Sequence, residues 1–95
     1  MRHSLLATIR FLTTEEGGKS RTPKSGYRPH FDLGVYLTSV IINSITSDDE
    51  TFELGREYEV ELIFMFWDHV EHLVNLDAPF VLKEGKFTVG HGQFL

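Results

Sequence analysis

From Glu57 onward, apolar and acidic residues alternate: Tyr58, Val60, Leu62, Phe64 and Phe66 hold one parity, and Glu57, Glu59 and Glu61 hold the other. An extended backbone sends successive side chains to opposite faces, so this spacing predicts a half-buried strand over residues 58–67 with the aromatic and aliphatic parity inward. The same alternation puts Leu5, Ala7, Ile9 and Phe11 on one face of a strand over residues 5–13, stopped by Glu15-Glu16-Gly17-Gly18. Residues 31–45, rich in Val, Ile, Leu, Tyr and Thr, predict one bent strand or two, with Gly34 at the bend. Ser47-Asp48-Asp49-Glu50 makes an acidic turn. Residues 80–83 and 87–92 form a closing hairpin around Glu84-Gly85-Lys86, where Gly85 takes the positive φ of a tight turn. No segment carries a convincing helical period. Short antiparallel strands at this spacing predict an all-β, closed antiparallel barrel, because closure leaves no unpaired edge. The 95 residues have room for one such domain, spanning residues 1–95.

Eight Phe residues dominate the material available for its core. The absence of cysteine excludes disulfides, thiol catalysis and cysteine-ligated zinc, and fits the reducing cytoplasm, where we expect the chain. No apolar run is long enough to span a bilayer. The basic, acid-free start, Met1 to Ala7, has a faint targeting character, but its alternation reads better as the first strand. Charge is divided unevenly. Residues 1–31 carry six Lys/Arg against two Glu, giving +4, and residues 32–95 carry three against twelve Asp/Glu, giving −9. Four of those cations, Lys19, Arg21, Lys24 and Arg28, fall within ten residues beside Tyr27, which suits contact with phosphate or with an acidic protein surface. The competing reading is a solvated loop in which Arg28 pairs with a neighbouring carboxylate.

The order of residues in that loop is more specific than its charge. Glu15-Glu16-Gly17-Gly18, a basic Thr22-Pro23 segment and Gly26-Tyr27-Arg28-Pro29-His30-Phe31 resemble the long loop that opens the third, C-terminal barrel of the elongation factor Tu family. Lys83-Glu84-Gly85-Lys86-Phe87-Thr88-Val89-Gly90-His91-Gly92 is similar to that family's last hairpin, and residues 54–63 are similar to its Leu-Ile strand, with Leu54 in place of a proline. The resemblance spans nearly the whole chain and implies a Greek-key barrel. It does not extend to catalysis: no Gly-x-x-x-x-Gly-Lys-Ser/Thr loop is present, so neither binding nor hydrolysis of GTP is expected.

In the intact factors the third domain helps grip the T-stem side of aminoacyl-tRNA, packs on the GTPase domain and contributes to binding the exchange factor. The resemblance carries those RNA contacts onto His30, in place of a glutamine, onto Ser39, where a threonine contact survives at best, and onto Gly85, which is retained; Phe64 replaces a polar residue and Lys86 a glycine. Weak capture of tRNA or another structured RNA through Lys19, Arg21, Lys24, Arg28 and His30 is thus one expectation, and it would depend steeply on salt.

Two further features ask for an occupant. Ile63, Met65 and Trp67 continue the glutamate parity as large apolar groups pointing away from the predicted core, so they need a cover from the following loop, a second copy or a protein partner. Asp68-His69-Val70-Glu71-His72 gathers groups that ligate borderline metals, with His69 and His72 one helical turn apart, but it is neither His-Glu-x-x-His nor its inverted form. It sits in a polar insertion relative to the family, and such insertions are most often plain loops. Ser4, Ser20, Ser25, Ser39, Ser44 and Ser47 lack a Gly-x-Ser-x-Gly elbow, and the glutamates share one environment rather than dividing into an acid and a base. His91, between Gly90 and Gly92, has space to approach a ligand but reads better as a strand-end residue. The sequence therefore predicts a non-enzymatic binding barrel with no cofactor and no metal, engaging a protein partner or itself; RNA binding and a degenerate fragment without independent activity are the other readings.

Overall fold

In the computed structural model, which describes residues 1–95, six strands form a closed antiparallel barrel. They are β1 (His3–Phe11), β2 (His30–Asp32), β3 (Leu37–Ser44), β4 (Glu57–Phe64), β5 (Phe80–Glu84) and β6 (Phe87–Phe94). Around the ring they run β1, β4, β3, β2, β5, β6, and β6 returns to β1. The alternation sets the register: Ala7, Ile9 and Phe11 of β1 and Val60, Leu62 and Phe64 of β4 all point inward and are buried. Glu57, Glu59 and Glu61 line the outside of β4, as their parity predicts, and Val40 and Ile42 of β3 complete that part of the core.

Aromatic rings plug both ends. At one, Phe31 lies 5.0 Å from both Phe64 and Phe80, and Phe94 sits 4.9 Å from Phe80. At the other, Phe52 lies 5.8 Å from Phe11 and 5.1 Å from Tyr58. Edge-on and tilted pairs at these separations add to the burial each ring already gains.

Closing the ring demands close approach between β1 and β6, where Ile9 faces Gly92 and Phe11 faces Gly90. A Cβ at Gly92 would meet the Thr8 carbonyl and, at 2.8 Å, the Phe80 ring. The glycines flanking His91 therefore serve barrel closure; His91 itself is exposed.

Residues 31–45 resolve into two strands, with Gly34 at φ 90° in the turn between β2 and β3. Upstream of β2 the chain continues irregularly along β3, where the Ile42 N–H donates to the Tyr27 carbonyl and the Ile42 carbonyl accepts from the Gly26 N–H. The first strand ends at Phe11, earlier than its apolar pattern suggests, because Thr13 leaves the sheet to cap a 3-10 turn (Thr14–Glu16), and the Thr13 and Glu16 side chains bond each other's backbone N–H.

The largest departure from the sequence expectation comes directly after β4. The strand stops at Phe64; Met65 and Phe66 turn, and the chain enters a short helix, α1 (Trp67–Val70), then a second 3-10 turn (Glu71–Leu73). Trp67 drops onto the barrel end, stacked on His3 at 4.4 Å and edge-on to Phe64 at 5.2 Å, and Val70 enters the core. Phe66, expected inside, is thereby turned out and is 52% exposed. No helix is long and apolar enough to cross a membrane.

Candidate functional site

Topology divides the loops between the two barrel ends, and the ends differ in character. One end collects the opening loop over residues 12–24, the turns of residues 45–56 and the β5–β6 turn. The other collects the β2–β3 turn and the segment 65–79.

At the first end, Lys19 is committed to a structural clamp. Its Nζ donates to the Glu84 carboxylate at 2.5 and 3.1 Å and lies 4.8 Å from the centroid of the Tyr27 ring. Lys19 holds the Glu84 carboxyl below the usual carboxylate range against the opposing effect of partial burial. Burial, with the Glu84 charge adding to it, pushes the Tyr27 phenol far above its ordinary value. The phenol oxygen is buried and makes no hydrogen bond of normal geometry, so Glu84 acts on it as a neighbouring charge rather than as a partner.

Between Gly17–Arg21 and Glu84–Val89 lies a cleft of about 450 Å³ whose exposed lining includes Ser20, Arg21 and the 69%-exposed Phe87. Arg21, Lys24 and Arg28 are exposed and form no ion pair, which contradicts the neighbouring-carboxylate reading for Arg28. The predicted basic surface is thus three free cations, with Lys19 already neutralised. Gly85 sits in the β5–β6 turn beside this clamp, at φ 59°.

His30 and Ser39, assigned with those cations from the resemblance, belong to a different neighbourhood. They face each other across β2 and β3, on the outer parity, with Lys83 on the other flank of His30. Lys83 leans to Asp32 at 3.7 Å, and the His30 Nδ1 is buried with no partner. The two residues line a groove of about 310 Å³ whose remaining walls are Tyr36, Leu37, Thr38, Phe66, His69 and Val70.

That groove runs between the β2–β3 hairpin and α1, which are held together where the Tyr36 hydroxyl donates to the His69 carbonyl at 3.4 Å. Around it the surface is apolar. Val35 is 72% exposed, and Tyr36, Leu37, Phe66 and Leu76 join it among the ten large hydrophobic residues left open by the fold. Half of the open hydrophobic residues therefore come from two segments, 35–37 and 66–76, that meet at a single barrel end.

Ile63, Met65 and Trp67 do not form the face their spacing predicts. Ile63 remains on the outside of β4 opposite Ile41, half-buried; Met65 lies in the turn, bonded through its N–H to the Ser39 carbonyl; Trp67 packs inward over the barrel mouth. His3 and Phe64 cover Trp67, Ile63 and Met65 are half-buried, and the residue of this stretch left open for an occupant is Phe66. Asp68 and His69 fall in α1 and His72 in the following turn, and no group of three His, Asp or Glu side chains comes together to hold a metal. The missed residues, Val35, Tyr36, Leu37 and Leu76, did leave a signal: a turn opened by Gly34 ordinarily carries polar residues, and this one carries Val-Tyr-Leu. No protein-family model matches the sequence.

Proposed function

We propose that this chain is a non-catalytic, protein-binding barrel that docks through the apolar end formed by the β2–β3 turn and the segment 65–79. One observation carries the reading: Tyr36, Leu37 and Phe66 lie open around a formed groove, and Val35 and Leu76 are open on the same two segments. Contiguous apolar surface of this kind on a small domain ordinarily marks an interface, and aromatic residues at its centre supply most of the affinity. We also propose that the barrel is of the Greek-key type found in the third domain of elongation factor Tu; the ring order, with the β2–β3 hairpin set between β4 and β5, is compatible with that descent.

A photo-crosslinking residue placed at Phe66 tests the docking surface against one at Glu59, on the acidic outside of β4. The expected result is defined adducts, with another protein or with a second copy, from position 66 and none from position 59. Adducts from both positions alike, or from position 59 alone, would remove the apolar end from the proposal.

A second reading rests on free Arg21 beside exposed Phe87, with free Lys24 in the same opening loop: RNA capture at the opposite end. Cations and a stacking surface are the usual elements of such contacts. Lys19, His30 and Ser39 contribute less to it than their positions in the resemblance imply, since the first is paired with Glu84 and the others line the apolar groove.

A further inference from the structure

The cleft at the basic end has walls that the fold itself fixes. On one side is the loop Gly17–Arg21, on the other the turn Glu84–Val89. The Leu12 N–H donates to the Val89 carbonyl at 2.9 Å, and Lys19 reaches across to Glu84, so the separation of the walls is set in advance of any ligand. Phe87 lines this cleft, largely exposed, and stacks on no other ring of the chain. Donors for an anion gather beside it. Arg21 lines the cleft and Lys86 directly precedes Phe87; both are exposed and in no ion pair. The backbone N–H groups of Ser20 and Arg21 bond no carbonyl of the chain, and two consecutive open N–H groups suit an anion. The one carboxylate in the lining, Glu84, is already held by Lys19.

An open aromatic face beside anion donors, in a space of about 450 Å³, has the dimensions and chemistry of a site for one nucleotide. A duplex uses only half of it. Paired bases are stacked on one another and offer Phe87 no face, so a helix meets the cations alone, whereas an unpaired base can turn out onto the ring. Resting on the RNA reading of this end, we propose that the cleft takes one unpaired nucleotide of a single-stranded RNA, its base on Phe87 and its phosphate on Arg21, Lys86 and the Ser20 and Arg21 N–H groups. That ligand differs from the paired T-stem that the resemblance implies.

Fluorescence anisotropy of the full chain at about 50 mM salt tests this with an unstructured, end-labelled RNA strand of about 16 nucleotides, free or annealed to its complement. The free strand is expected to bind more tightly than the duplex. Phe87→Ala weakens the strand by about tenfold or more and leaves the duplex unchanged, while Phe87→Trp, which keeps a stacking face, retains strand binding. Arg21→Ala weakens both forms and lowers the salt slope by about one. Phe87 and Arg21 are exposed, so these variants keep the fold. Equal losses for strand and duplex in Phe87→Ala, or no loss in either, overturn the unpaired nucleotide and leave the RNA reading standing. Binding of neither form by wild type ends both. AMP held as tightly as the strand would make the ligand a free nucleotide and overturn the strand.

Discussion

The Lys19–Glu84 pair ties the opening loop to the last hairpin, and its titration has a definite sign. Because Lys19 lowers the Glu84 pKa from its ordinary 4.5, the folded state binds this proton more weakly than the unfolded state does. The resulting stabilisation is complete above about pH 4.5 and disappears as the pH falls through the lowered value. With the Glu84 side chain 40% exposed, solvent screening keeps the pair within about 0.5–1 kcal/mol. Melting temperatures of wild type and Glu84→Gln should therefore differ near neutral pH and converge progressively as the pH falls below the ordinary 4.5; parallel curves across that range would mean that the clamp contributes nothing. Glu16, held low chiefly by the Thr13 backbone N–H and then by Arg10, gives the wild type a further acid-sensitive step that the variant retains.

At the scale of elements, β4 and the turn and helix after it show the reach and the limit of a pattern of alternation. Parity correctly assigned Val60, Leu62 and Phe64 inward and the three glutamates outward, because a sheet side chain has only two faces to choose from. It failed two residues later, at Phe66, since nothing in the alternation marks where a strand stops pairing. That boundary is set by tertiary contacts: the Met65 N–H bonds the Ser39 carbonyl, and Trp67 finds His3 and Phe64. The short helix escaped notice for a related reason, as four residues are too few to display a 3.6-residue period. The cations were legible as a group, but pairing of Lys19 with a glutamate 65 positions away was not. The inside-outside assignment gives a paired test. Phe64→Ala, which empties a fully buried site, should cost about 3–5 kcal/mol in chemical denaturation. Phe66→Ser should cost less than about 1 kcal/mol. Equal losses would place Phe66 inside the core after all.

For the whole molecule, the two ends make separable demands. The apolar end is available to a protein surface, while the other end carries Arg21 and Lys24, with Arg28 on the barrel wall beside β3, on a chain whose formal net charge is −5. Any RNA affinity there must arise locally against an unfavourable overall field, so it should be weak and fade quickly with salt. Replacing Lys19, Arg21, Lys24 and Arg28 together by alanine is expected to abolish retention of tRNA at low salt and flatten its salt slope, as measured by filter binding. Retention unchanged in the variant would show that the loop is only a solvated connection, and no retention by wild type would end the RNA reading.

The glycine-lined seam between β1 and β6 bears finally on the time the chain needs to find its structure. Ala7 to Phe11 pair with Gly90 to Phe94, so the contact that completes the ring joins segments separated by almost the entire chain. Such remote pairing requires the loop-closure entropy to be met before the contact repays it, which places folding among the slow, high-contact-order cases, in milliseconds to seconds rather than microseconds. Until the seam shuts, β1 presents an open edge for any neighbouring chain to pair with, and a newly made molecule is most prone to aggregate in that interval.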